Sequence, residues 1–283
     1  MAHLVKAREK YNCHERYVNR EFSWLQFNSR VLFEAENTDN PLLERCKFLS
    51  IFESNLDEFY MVRVSGLIEQ SEQKITALTP DGLTPDEQLE LIADEVRDLR
   101  QHAAHIWSID LSPALAGNGI VIRKFTELTK SEQSALTEHF QSRVFNVCTP
   151  LMLDPNPTFP FISNLSLNLA VELKDEDGTK LARVKIPPVI PRLIAIPGRT
   201  TEFLLLEDLI AAHLHLLFPG VEVVDSYLFR VVRDADIEIR ELEAADLISA
   251  IEQTLNLRRL GDAVLLEVDE SMPRRWRLFL KKN

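Results

Sequence analysis

The residues with the clearest chemical potential lie in one run, FLSIFESNLDEFYMVR (48–63), where Glu53-Ser54-Asn55 and Asp57 break an apolar rhythm that resumes at Phe59-Tyr60. A segment built only for packing has little reason to set Ser-Asn between Phe52 and Leu56. Asn55 is a carboxamide, with a donor and an acceptor but no charge. On spacing alone it reads first as a cap residue at a helix kink, a place asparagine favours. Asp57 and Glu58 invite a metal or acid–base reading, but adjacent helical residues point about 100° apart. Acidic side chains near a helix start are the simpler reading. His102 with His105, and His213 with His215, have ligand-like spacings but no third ligand nearby, which favours packed or solvated imidazoles. Arg230, Arg233, Asp234 and Asp236 alternate along and just beyond a predicted strand. They read as a solvated face, with an ion-pair patch at a subunit contact as the alternative. Trp24 and Phe27 fall three apart on a helix and are assigned to the core rather than to a shelf for a base.

Several chemistries are excluded by what the chain does not contain. There is no G-x-x-x-x-G-K-[ST] loop and no G-x-G-x-x-G, and eight glycines in 283 residues leave little material for either. Cys13, Cys46 and Cys148 are widely separated, without metal-ligand or redox spacing, and read as reduced thiols. The formal charge of −12 argues against a surface that grips DNA, RNA or another polyanion over its whole extent. No apolar run approaches the roughly 20 residues of a membrane span, and the first 16 residues lack the apolar core of a secretory signal. A cytoplasmic protein is expected.

The elements that must position these residues fall into two parts, a multidomain organisation. Residues 1–16 read as a disordered lead-in. Residues 17–116 read as an all-α, up-and-down bundle of three helices. Ser23 and Gln26 form a capping-box pair ahead of a stripe of Phe22, Phe27, Val31 and Ala35. Asn40-Pro41 restarts the chain, and the second helix runs through Leu42, Leu49, Phe52, Leu56, Val62 and Leu67, with a kink allowed at Ser54–Asp57. A box of Thr84 and Glu87 opens the third, whose Leu89, Ile92, Val96, Leu99, Ala103 and Ile106 form a seam. Gly117-Asn118-Gly119 ends it. Residues 117–283 read as an α+β domain with a mixed or antiparallel sheet. Helices are predicted over 129–147, opened by a Thr129–Glu132 capping box, and over 207–217 and 244–260, and strands at 120–122, 226–232 and 263–268. A hairpin of 165–173 and 180–186 turns at Asp177-Gly178, residues 189–197 form a connector, and 274–283 open a further amphipathic helix.

Three strings go beyond this pattern: YVNREFSWLQFNSRVL (17–32), NPLLER (40–45) and the 48–63 run. Together they resemble the opening of the bacterial polyphosphate kinases of the phosphohistidine type. The similarity continues more weakly through Thr149-Pro150-Leu151, FPFISNLSLN (159–168), FRVVRDAD (229–236) and the stretch from Leu266 to Pro273, in the manner of that family's head domain. It covers about residues 17–280.

The resemblance implies a function and a site. The family transfers the γ-phosphate of ATP reversibly to polyphosphate through a phosphohistidine, with Mg²⁺ held by C-terminal catalytic domains that lie beyond the part matched here. The asparagine directly before Leu-Asp-Glu-Phe is the residue with which the family's N-terminal domain contacts ATP; here that is Asn55. A neutral carboxamide suits the place, since it can pair with an adenine edge or a ribose hydroxyl without adding charge beside a triphosphate. None of the seven histidines sits in a context matching the phosphohistidine, so no catalytic or metal residue is assigned, and this portion is expected to be inactive alone. The resemblance further implies ATP or ADP and polyphosphate as ligands and a homodimer or higher homo-oligomer. Two alternatives stand beside it: a naturally truncated, non-catalytic nucleotide-binding or subunit-interaction module, and a helical adaptor in which Asn55 is only a cap.

Overall fold

A computed structural model describes residues 14–153, 159–176, 178–235 and 261–283. They fall into two compact units, one of Met1–Ala114 with Arg233–Val264, the other of Leu115–Val232 with Leu265–Asn283. Cys13, Asp177, Asp236 and the helix expected over 244–260 lie outside the described residues. His14–Arg16, within the expected lead-in, form a single 3-10 turn.

In the first unit the helices are α1 (Arg20–Glu36), α2 (Leu42–Phe59), α3 (Ser65–Glu72), α4 (Pro85–His105) and α5 (Ser112–Gly117). A π-helical turn at Tyr60–Val64 joins α2 to α3, and another at Ile106–Leu111 joins α4 to α5, so three long rods result. Their order is up–down–up. Arg45 Nε donates to Ala35 O across the α1–α2 turn at 2.8 Å, Ser71 bonds Asp86 where α3 meets α4, and Asn19 Nδ2 reaches Gln88 Oε1 at 3.1 Å to set the starts of α1 and α4 together.

Local chemistry explains where the rods begin. The Thr84–Glu87 capping box forms as expected, with Glu87 N donating to Thr84 Oγ1 and Thr84 N to Glu87 Oε2. α1 departs from expectation: Asn19 caps it by accepting from the amides of Glu21 and Phe22, which leaves Ser23 and Gln26 inside the helix. The buried stripe also differs from expectation: it is Leu25, Asn28, Leu32 and Ala35, while Phe27 is 48% exposed and is not core. α2 runs unbroken through Ser54–Asp57, so no kink lies there. The irregularity comes one turn later, in the π turn. That turn holds an extra residue and rotates the helix beyond it, burying Tyr60 and Val64 and turning Val62 outward. On α4 the predicted seam is buried from Ile92 through Val96, Leu99 and Ala103 to Ile106.

The second unit is α+β. One sheet orders β1 (Val121–Arg123), β6 (Glu202–Leu205) and β5 (Leu193–Ala195), with β1 and β6 parallel. The other orders β2 (Pro150–Met152), β4 (Gly178–Lys185), β3 (Asn168–Asp175), β7 (Glu222–Arg233) and β8 (Ala263–Val268). The expected hairpin is β3–β4, paired from Asn168↔Lys185 to Asp175↔Gly178. β5 occupies part of what reads in the sequence as a connector. Helices α6 (Lys130–His139), α7 (Leu206–Ala212), α8 (Leu214–Leu217) and α9 (Arg274–Lys282) complete the unit.

β3 is central, and every residue from Asn168 to Leu173 is buried. Leu169, Val171 and Leu173 join a core with Leu136, Leu209 and Ile210 from the helices. Ala170 belongs to a second core, with Phe229, Met272 and Leu280. Glu172 lies among the buried residues of β3, and a buried carboxylate must be paired. Arg275 Nη2 and Trp276 Nε1 of α9 each reach it at 2.5 Å. Removing one donor leaves an oxygen unsatisfied, so Trp276→Phe is expected to lower stability by about 1–3 kcal/mol in chemical denaturation. An unchanged midpoint would show that this bond holds nothing together.

His213, between α7 and α8, is buried and stacks on Phe140 with ring centroids 4.6 Å apart. Its Nδ1 donates to Leu209 O at 2.8 Å, and Nε2 lies 2.9 Å from Thr137 Oγ1. Burial lowers its pKa, with a smaller push from His215 against the opposing bond to Leu209. The unfolded chain therefore takes up this proton first, and stability falls as pH drops below about 6.5. Thermal melts at pH 7.5 and 5.5 should show a larger drop for the natural protein than for His213→Phe; equal drops would remove His213 from the acid response.

Candidate functional site

Asn55 sits on the α1–α2 face, and the residues around it form rungs at helical spacing. On α1 they are Glu21, Trp24 and Asn28; on the antiparallel α2 and its π turn they are Asn55, Phe59 and Arg63. Asn55 Nδ2 donates to Asn28 Oδ1 at 2.9 Å. One turn along, Trp24 stacks on Phe59, centroids 4.5 Å apart and planes within 10°. One turn further, Arg63 Nη1 is 3.3 Å from both carboxylate oxygens of Glu21. Asn28 is wholly buried, and its Nδ2 donates to Phe52 O at 3.0 Å. That carbonyl can take a second donor beside its helical one, since it has two lone pairs. Asn55 is half-buried, so its far end can meet a ligand. The face offers a neutral hydrogen-bonding group, an aromatic stack and an ion pair already closed on itself. Such a set recognises; it does not supply a nucleophile.

The other sequence candidates do not join it. Asp57 is half-buried and Glu58 exposed, and among the described residues no group of three or more His, Cys, Asp or Glu could hold a metal ion. His102 is exposed and bonds Glu36 Oε1 at 2.8 Å; His105 is exposed. His215 is exposed while His213 serves the core of the other unit. Arg230 pairs with Glu267 of β8, and Arg233 Nη1 donates to Gly261 O at 2.9 Å, so both arginines of the supposed solvated face are engaged.

Sequence reasoning missed Asn28. Its signal is a polar residue inside the 3–4–3 stripe of Leu25, Leu32 and Ala35, where an apolar one belongs. It also missed the partners of the Thr129–Glu132 box. Arg199 grips Glu132 through Nε at 2.6 Å and Nη2 at 3.1 Å, and Nη1 reaches Glu202 at 2.6 Å. Those bonds, with the Thr129 amide, hold the Glu132 carboxyl down at about 2. This network ties α6 to β6 and is structural.

Comparison with known proteins places the chain as a whole. A family model described as the polyphosphate kinase N-terminal domain matches residues 17–123, and one described as the polyphosphate kinase middle domain matches residues 131–283. Polyphosphate kinase of Mycolicibacterium gilvum is 46% identical over 265 residues, covering 91% of this chain and 36% of that protein. Its counterpart in Mycobacterium tuberculosis is 45% identical over 273 residues, covering 91% and 37%. The crystal structure of polyphosphate kinase from Porphyromonas gingivalis superposes with a TM-score of 0.74 at 29% identity, over 93% of this chain and 37% of that one. The chain thus spans a little over a third of the length of these relatives. It belongs to the polyphosphate kinase family, of which it carries the N-terminal and middle domains.

Proposed function

We propose that this chain is the nucleotide-contacting and head portion of an enzyme that transfers the γ-phosphate of ATP reversibly to polyphosphate through a phosphohistidine. The observation that supports it is the half-buried Asn55, held from behind by a buried asparagine with one end turned away from that anchor. Its carboxamide would contact ATP, adding no charge beside the triphosphate. The phosphohistidine and the Mg²⁺ that accompanies ATP belong, in this reading, to the remaining two thirds of the length seen in the relatives. Among the described residues no cluster could hold the ion, and no step is assigned to it.

Self-association into a homodimer or higher homo-oligomer is part of the same proposal. Large apolar side chains left exposed support it, among them Phe33, Leu43 and Ile109 in the helical unit and Val189 in the other. No described helix is long and apolar enough to cross a membrane, and we assign the protein to the cytoplasm. The intact mass of the protein in its native cell extract separates this reading from a non-catalytic binding or subunit-pairing module. A species more than twice the mass of this chain supports the kinase; one at 32.5 kDa favours the module.

Asn55→Ala in the intact protein should weaken ATP binding roughly three- to tenfold, the worth of one hydrogen bond, with the fold intact but the melting temperature lowered by the unpairing of Asn28 Oδ1. A lower melting temperature with an unaltered ATP constant would make Asn55 a structural residue only.

A further inference from the structure

A carboxamide presents either its oxygen or its nitrogen, and the two ends read opposite partners. Around Asn55 that choice is forced by a backbone carbonyl. Phe52 O can only accept, so the end of Asn28 that meets it at 3.0 Å is the amide nitrogen. Asn28 Oδ1 is then the end that faces Asn55, and it too can only accept. The end of Asn55 that meets it, at 2.9 Å, is therefore Nδ2. Both orientations are anchored at Phe52 O, an atom whose role is never ambiguous. Asn28 cannot turn over without setting its oxygen against Phe52 O. It is wholly buried in the stripe between Leu25 and Leu32, where an unpaired polar end costs about 1–3 kcal/mol. Asn55 Oδ1 is left as the outward end.

We propose that Asn28 is a positioning residue that fixes Asn55 with its carboxamide oxygen outward, so that the site demands a hydrogen-bond donor and takes adenine over a 6-oxopurine. Adenine carries an amine at C6, and guanine carries an oxygen there. The amine donates to Oδ1. An oxygen at the same place faces it lone pair to lone pair and leaves both groups unpaired. This inference rests on the reading of Asn55 as a nucleotide contact, and adds to it which end is read and what sets that end.

The test is nucleotide selectivity in the intact protein, with dissociation constants measured for ATP and for inosine triphosphate, which carries the oxygen at C6. The natural protein should prefer ATP by at least about tenfold, one unpaired polar contact. Asn28→Leu keeps the size of the side chain and frees Asn55 to rotate, so the preference should collapse toward unity. A merely structural role for Asn28 would weaken both nucleotides together and leave their ratio alone; that result, in a variant that melts cooperatively, overturns the proposal. Asn55→Ala separates the two levels. If it leaves ATP binding unchanged, the underlying reading fails; if it weakens ATP while Asn28→Leu keeps the preference, only this inference fails. Should Asn28→Leu not fold, purine riboside triphosphate, which lacks the amine, decides. Removing the amine should cost about tenfold in the natural protein and nothing in Asn55→Ala, and an equal cost in both would sink the idea.

Discussion

A carboxamide shut away from water must find partners for its donor and its acceptor, and Asn28 finds them only in one arrangement of two helices. Its nitrogen needs the Phe52 carbonyl and its oxygen needs the Asn55 amide. Both lie on α2, three residues apart. A slip of α2 by one residue rotates its face by about 100° and removes both partners at once, leaving the buried amide unpaired. Apolar side chains tolerate small slips because the hydrophobic effect has no direction; this pair of hydrogen bonds does not. The register it sets also brings Trp24 onto Phe59 and Glu21 to Arg63. The Asn55 face is thus a consequence of how one buried polar residue is satisfied.

The π turn at Tyr60–Val64 extends the same constraint along the rod. A regular helix continuing from Leu56 and Phe59 would carry the buried stripe to position 63. The extra residue in the turn gives that place to Val64 instead, and Arg63 is freed to meet Glu21. The turn also divides the helix where the recognition rungs end and plain packing begins. Two further π turns, at Ile106–Leu111 and Phe140–Val144, likewise succeed the last regular turn of a long helix. In each the buried residues lie at both ends, Ile106 with Leu111 and Phe140 with Val144, which lets a straight rod keep one face on its core.

Much of the fold was legible in the residues where a period or a cap carried the information. The α4 seam obeys a simple alternation of three and four, and the Thr84 and Thr129 boxes have a fixed spacing, so all three were readable. The hairpin was readable for the same reason. Short strands were not: β5 and β6 have three and four residues, too few for a period to emerge; they pair with each other, and β6 also pairs with β1, distant in sequence. The start of α1 was misplaced because Ser23 and Asn19 are both good caps, and only tertiary bonds from Asn19 to Gln88 and Asp81 choose between them. Asn55 stood out because polar residues interrupt an apolar run. Asn28 did not, since its meaning depends on the carbonyl of a residue 24 positions away.

Charge bears directly on the proposed nucleotide contact. Its formal charge is −12, and the cation of the Asn55 face, Arg63, is already matched by Glu21. The face adds no net positive charge with which to hold a phosphate chain. For a nucleotide bound as proposed, the base is the neutral part, and an uncharged amide can discriminate there without altering the field around the phosphates. Affinity for the phosphates, which is salt-dependent and insensitive to the base, then has to come from other groups. Selectivity for the base, in the same proposal, comes from the rigidity of an amide whose orientation is settled behind it. Separating the two lets each be set independently: a change at Asn28 alters which base is accepted, while phosphate binding and its response to salt stay as they are.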